Sequence, residues 1–169
     1  MPFLAVLLTC HIGYAGLSDN SVSEQYEFDK EGRLIEKITP DGGRTSFNYN
    51  KQGLLVEINY QDGFVRYGYD ANGNRTWMQD KAGRTEYKYD AFNRLIEVVF
   101  KYSPVKRIRY GYDPWNRITS IEIFENNRID YKVEYGYDIW GNLISINDGN
   151  GRIEYNYFPE KGEISRQLP

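Results

Sequence analysis

One signature returns about every twenty residues along this chain, and it constrains the fold more than anything else in the sequence. It reads aromatic, any residue, aromatic, Asp, two variable residues, Gly or Asn, and then a short apolar run. The clearest copies are Tyr67-Gly68-Tyr69-Asp70 with Gly73, Tyr87-Lys88-Tyr89-Asp90 with Asn93, Tyr110-Gly111-Tyr112-Asp113 with Asn116, and Tyr135-Gly136-Tyr137-Asp138 with Gly141. Degenerate copies begin at Tyr26 (Phe28, Asp29, Gly32) and Phe47 (Tyr49, Asn50, Gly53), and a last one is Tyr155-Asn156-Tyr157-Phe158. The second aromatics fall at 28, 49, 69, 89, 112, 137 and 157, steps of 21, 20, 20, 23, 25 and 20 residues.

Each copy reads as a β-hairpin. Thr45–Asn50 alternates as a strand, Lys51-Gln52-Gly53 is a turn, Leu54–Gln61 is a second strand, and Asp62-Gly63 is a second turn before Phe64–Asp70. The Asp or Asn after the aromatic pair can accept bonds from backbone N–H groups ahead of it, and the Gly/Asn column (32, 53, 73, 93, 116, 141) can take the left-handed conformation that closes the loop. Side chains alternate between strand faces. Val56, Ile58 and Tyr60 are therefore expected opposite Val65, Tyr67 and Tyr69 on one aromatic and β-branched face. Likewise Ile96, Val98, Phe100 and Tyr102 should oppose Ile108, Tyr110 and Tyr112, and Thr119, Ile121 and Ile123 should oppose Tyr131 to Tyr137. The tyrosine hydroxyls are expected at the wet rim, and Trp77 is expected to pack within its strand. The opposite face carries Glu27, Asn48, Lys88 and Asn156, with Glu36, Glu57, Glu97, Ser120 and Ser145; Lys37 and Arg75 depart from the apolar columns. The residues around Ser103-Pro104 and Glu125-Asn126-Asn127 read as longer hairpin arms. The predicted fold is all-β: an antiparallel meander of six to seven tandem hairpins, roughly fourteen strands at about 4.8 Å spacing, forming a curled, open sheet.

Composition removes several function classes. The 169 residues amount to one domain's worth of protein, with sixteen tyrosines and a net charge of −3. That charge supplies no basic field for non-specific nucleic-acid binding. A single cysteine, Cys10, and a single histidine, His11, allow neither an intramolecular disulfide nor a Cys/His metal site. Nucleophilic catalysis of the Ser/His or Cys/His kind needs an imidazole, and the only one lies at the N-terminus. Asp70, Asp90, Asp113 and Asp138 recur at one turn position, which capping explains better than acid–base chemistry. Asp70-Ala71-Asn72-Gly73-Asn74 and Asn147-Asp148-Gly149-Asn150-Gly151 are oxygen-rich but lack the spacing and terminal Glu of a calcium loop. No catalytic residue, metal or cofactor is expected.

Residues 1–17 read as a signal peptide: Phe3 to Leu8 is apolar and small residues surround Ala15 and Gly16, although no Lys or Arg precedes Lys30. The run is too short to span a bilayer. Residues 18–169 then form the repeat domain, with copies near 26–44, 45–65, 66–86, 87–109, 110–134, 135–154 and 155–169, and the expected location is secreted, periplasmic or cell-surface. A separate feature is the residue before the Gly/Asn column, which changes from Glu31, Gln52 and Asn72 to Phe92, Trp115 and Trp140. These three rings are the candidate binding residues, as a row that stacks on sugars or docks a partner. The structural alternative is that the tips fold over the sheet edge and bury them.

The Tyr-x-Tyr-Asp-x-x-Gly/Asn-x-Leu/Ile pattern resembles the YD repeat of the Rhs family, which includes Rhs toxins, shell components of insecticidal toxin complexes, and teneurins. The resemblance covers about Tyr26 to Tyr157 and implies a spiralling β-shell, often wrapped around a toxin. What carries over is structural: the tyrosine pairs, the Asp and the Gly/Asn column. Family shells use many more repeats, and the Asp-Pro-x-Gly signature of their self-cleavage region is absent; Asp113-Pro114 sits inside a repeat. The tail from Pro159 to Pro169 is too short to be a toxin. The resemblance implies an orphan or truncated cassette: a non-enzymatic structural or interaction module whose partners are other YD-repeat segments, an Rhs-type protein, or a second copy through open sheet edges. The alternative is a carbohydrate-binding module that takes glycans on its aromatic tips.

Overall fold

The computed structural model describes residues 6–9, 23–102, 104–157 and 164–167, with side chains for 23–102 and 104–157. The chain divides into two units, residues 1–82 and 83–169. The first contains β1 (Val6–Thr9), β2 (Gln25–Phe28), β3 (Leu34–Ile38), β4 (Arg44–Tyr49), β5 (Leu55–Tyr60), β6 (Gly63–Tyr69) and β7 (Arg75–Gln79). The second contains β8 (Arg84–Tyr89), β9 (Leu95–Phe100), β10 (Lys106–Tyr112), β11 (Ile118–Glu125), β12 (Arg128–Tyr137), β13 (Leu143–Asn147), β14 (Arg152–Tyr157) and β15 (Ile164–Gln167). Within each unit every strand pairs antiparallel with the next, as a hairpin meander requires. Apart from Val6–Thr9, the leader expected over 1–17 lies outside the described residues, Cys10 and His11 included.

The expected faces are realised. Ile58 opposes Val65, Ile108 opposes Val98, Ile121 opposes Val133 and Ile123 opposes Tyr131. On the opposite face Glu57 accepts from Asn48 Nδ2 at 3.0 Å and Arg66 Nε at 2.7 Å, a polar row across three strands. Trp77 lies over Gly68 in the neighbouring strand, where a Cβ would overlap its indole, so that glycine makes room for the ring. Lys37 reaches Glu24 at 2.7 Å, and Arg75 sits 4.8 Å from the centre of the Tyr67 ring. The longer arm is also present: Glu125 pairs with Arg128 around Asn126-Asn127, both at positive φ as a two-residue hairpin loop demands.

Several expectations need correction. The sheet does not curl within either unit: among the described residues strands pack only against their sequence neighbours, and no second layer covers the aromatic face. The turn placed at Asp62-Gly63 sits one residue earlier, because Tyr60 pairs with Gly63 and the loop is Gln61-Asp62. Gly63 is a packing residue: a Cβ there would lie 2.9 Å from the Tyr60 ring. The charged face is not wholly polar either. Val99 and Phe124 are buried on it, alongside Glu97, with Arg107 and Arg109 guanidinium groups 5.9 and 5.0 Å from the Phe124 ring.

A β-bulge recurs at the second aromatic of the first six copies, between Glu27/Phe28, Asn48/Tyr49, Gly68/Tyr69, Lys88/Tyr89, Gly111/Tyr112 and Gly136/Tyr137. The residue skipped on the facing strand is Ile35, Val56, Thr76, Ile96, Thr119 or Ile144, β-branched in every case. A bulge interrupts the ladder and leaves backbone groups to be satisfied otherwise. The tyrosines do this. Tyr49 donates its hydroxyl to the Leu34 carbonyl, Tyr69 to Leu55, Tyr112 to Leu95, Tyr137 to Ile118 and Tyr157 to Leu143, at 2.7–2.9 Å. These hydroxyls therefore do not end in solvent at the rim, as expected; each ties one repeat to the backbone of the repeat before it.

Candidate functional site

The six turns are built alike. Each Asp or Asn side chain accepts from the backbone N–H two and four residues on, as Asp113 does from Trp115 (2.9 Å) and Arg117 (3.0 Å). The same pair of bonds holds Asp29, Asn50, Asp70, Asp90 and Asp138. The loop closes through the positive-φ column Gly32, Gly53, Gly73, Asn93, Asn116 and Gly141. These carboxylates are occupied by their own loops, which accounts for their recurrence without chemistry. Burial works against ionisation of Asp90 and Asp113, but hydrogen bonds from the loop N–H groups and from Arg94 or Arg117 outweigh it and hold both carboxyls below the usual range. Asp138 is lowered as well: burial again opposes ionisation and is outweighed by Asn142 and the backbone of the loop.

An arginine four positions after the Asp completes three of the turns. Arg33, Arg94 and Arg117 donate Nε to the second oxygen of Asp29, Asp90 and Asp113 at 2.7, 2.7 and 2.6 Å. Each also lies 4.5–4.9 Å from the ring of the next repeat's tyrosine, Tyr49, Tyr112 or Tyr137. Arg94 donates to the Asp113 carbonyl at 3.0 Å and Arg117 to the Asp138 carbonyl at 3.3 Å. The arginine is thus a clasp from one turn to the next. The arginine column was visible in the sequence as a recurrence at fixed spacing from the Asp, but its direction across the sheet was not.

The three candidate rings lie at equivalent tips of the second unit, on the loops β8–β9, β10–β11 and β12–β13. They are not folded over the edge: Phe92, Trp115 and Trp140 are 77%, 75% and 80% exposed, and Ile139, absent from the sequence reading, is 89% exposed. Trp115 and Trp140 share an open groove of about 330 Å³ with Arg117, Tyr137, Asp138, Ile139 and Gly141; Phe92 does not line it. Successive tips are two strand spacings apart, about 9.6 Å. Arg94 lies 5.3 Å from the Phe92 ring and Arg117 5.1 Å from the Trp115 ring, so a cation already covers one face of each. Among the described residues no group of three His, Cys, Asp or Glu side chains could hold a metal ion.

The fold and these turns define a tandem β-hairpin repeat protein, its copies joined by tyrosine and arginine contacts rather than by a deep core. The Teneurin YD-shell family matches residues 18–87. The tRNA3(Ser)-specific nuclease WapA of Bacillus spizizenii is 31% identical over 105 residues, 60% of this chain but 4% of the nuclease. Crystal structures of TcdB2–TccC3–Cdc42 and TcdB2–TccC3 superpose with TM-scores of 0.68 and 0.60, at 18% and 13% identity, over 96% and 91% of this chain and 10% and 12% of theirs. The Photorhabdus luminescens Tc holotoxin pore gives a TM-score of 0.54 at 15% identity, over 96% of this chain and 11% of that one. The chain therefore spans a small fraction of each of these proteins. Its repeats are similar to those of the Teneurin YD-shell family over residues 18–87, and its fold to that of the toxin-complex structures.

Proposed function

We propose that this chain is a non-enzymatic structural module that contributes YD hairpins to a larger β-assembly of the Rhs kind and is exported to work there. The observation that carries the reading is the repeat-to-repeat stapling: the recurring tyrosines and arginines are consumed in joining one hairpin to the next. Among the described residues the strands pair in sequence order, so the first and last have one backbone edge that no other described strand pairs, the geometry that adds further strands. The proposed partner is accordingly another YD-repeat segment, in an Rhs-type protein or a second copy. Mixing the full chain with a purified protein of many YD repeats should give co-elution on size exclusion; separate elution at every concentration overturns the partner. Incubation with tRNA should leave the RNA intact, because the likeness to the nuclease spans only 4% of that protein.

The exposure of Phe92, Trp115 and Trp140 favours a second reading, a glycan-binding rim. Exposed aromatic rings that carry a polar neighbour suit stacking on sugar rings. Screening the full chain on a glycan array, with Trp115→Ala and Trp140→Ala beside it, tests this. Binding that is unchanged in both folded variants sinks it.

A further inference from the structure

The third tip differs from the two before it in one respect. At the first two, an arginine four residues after the Asp fills a position bounded by three groups: its own Asp, its own tip ring and the next repeat's tyrosine. At the third, that residue is Asn142. It keeps the contact with the Asp138 second oxygen through Nδ2 at 2.9 Å but brings no charge and no planar group over a ring. Among the described residues no cation lies over Trp140, and Tyr157, the next repeat's tyrosine, is 40% exposed, whereas Tyr112 and Tyr137 lie under their arginines. The charge is also unbalanced. Asp90 and Asp113 are paired with Arg94 and Arg117 at 2.7 and 2.6 Å; the Asp138 carboxylate has an amide in that place.

We infer that the tip of Trp140, Asp138 and Tyr157 is a receptor for a guanidinium group supplied in trans, an arginine side chain of a partner polypeptide. The chemistry is what the neighbouring tips already display within the chain. A planar cation laid on an indole face is attracted by the ring quadrupole, and a carboxylate beside it accepts a charge-assisted hydrogen bond. Arginine satisfies both at once, whereas an ammonium offers a point charge without the planar fork. Arg117, in the groove on the Trp115 side, is neutralised by Asp113 and so leaves the net field of the tip negative. Ile139, beside Trp140 and almost fully exposed, offers aliphatic surface to the backbone that carries the arginine. The inference concerns this tip alone and does not depend on whether the sheet edges pair.

The test is a titration of the isotopically labelled full chain, at low salt, with the peptide acetyl-Gly-Arg-Gly-amide and its lysine counterpart, followed on the tryptophan indole N–H resonances. The expected result is a saturable shift of the Trp140 resonance with the arginine peptide and a smaller one with lysine, whose ammonium brings a point charge without the planar fork. Trp140→Ala should abolish the shift elsewhere in the tip. Asn142→Arg should abolish it by supplying the cation within the chain, while Asn142→Ala, which leaves the ring uncovered and frees an Asp138 oxygen, should retain it. No shift with the arginine peptide overturns the inference. So does undiminished binding in a folded Asn142→Arg chain, or a shift of Trp140 by a neutral oligosaccharide and not by arginine.

Discussion

Replacing Tyr112 by Phe removes one atom and interrogates the contact on which the repeat depends. The Tyr112 hydroxyl donates to the Leu95 carbonyl at 2.8 Å, next to the β-bulge that skips Ile96, at a part-buried position. A typical intramolecular hydrogen bond contributes about 1 kcal/mol net, and leaving a buried carbonyl without a partner raises the cost to about 1–3 kcal/mol. Partial burial places Tyr112→Phe near about 1.5 kcal/mol. For a chain of this length that corresponds to a fall in melting temperature of roughly 3–6 °C. Two controls share the chemistry. Tyr110, on the same face two residues earlier, makes no hydroxyl bond among the described residues, so Tyr110→Phe should stay within about 0.5 kcal/mol. Tyr157 donates to Leu143 from an exposed position where water can replace it, so Tyr157→Phe should also be nearly neutral. Thermal and urea unfolding followed by circular dichroism read all three. Equal losses for Tyr112→Phe and Tyr110→Phe would refute the staple, because they would show that removing a hydroxyl costs the same with or without the bond to Leu95.

Three further outcomes follow from the same geometry. Gly73 has φ of +86° and only Leu54 Cδ1, at 3.9 Å, within reach of an added Cβ, so Gly73→Ala should cost about 1–2 kcal/mol through backbone strain alone, measured by urea unfolding. Glu97 is buried and held by Lys88 at 2.7 Å and Arg109 at 3.1 Å with Arg107 nearby; Glu97→Gln leaves three cations around an amide and should destabilise by about 2 kcal/mol. The turn carboxyls Asp29, Asp70, Asp90, Asp113 and Asp138 all have folded values below their ordinary ones. Groups depressed in this way stabilise the fold above the unfolded value, near pH 4, and lose that contribution as the pH falls through the folded value. Melting temperature should therefore be flat from neutral pH to about 5 and drop below about 4; a flat profile down to pH 2 contradicts the capping role.

Much of this architecture was legible in the sequence because it rests on local rules. The Asp-x-x-Gly/Asn spacing specifies a loop with a side-chain acceptor at its start and positive φ near its end, and alternation assigns faces once strand direction is known. Long-range choices were not legible. The bulge at the second aromatic is a property of two paired strands, and its trace in one of them is only a β-branched residue. The tyrosine hydroxyl could have ended in water or on a carbonyl, and the bulge decides between them. Phe124 lies on the charged face beneath the Arg107 and Arg109 guanidinium groups, a use of those side chains that charge patterning does not reveal. The tip rings were identified by position, but their exposure depends on how far a loop projects beyond the last paired residues. Ile139, at the next variable position, carried no periodic signal at all.

The central claim is that this chain is a module that builds larger sheets by adding strands at its edges. Light scattering on the full 19.9 kDa chain, over a wide concentration series, tests it most directly. The account predicts a mass that grows with concentration and a growth that proline substitutions in the terminal strands suppress. A single monomeric mass at every concentration would contradict it.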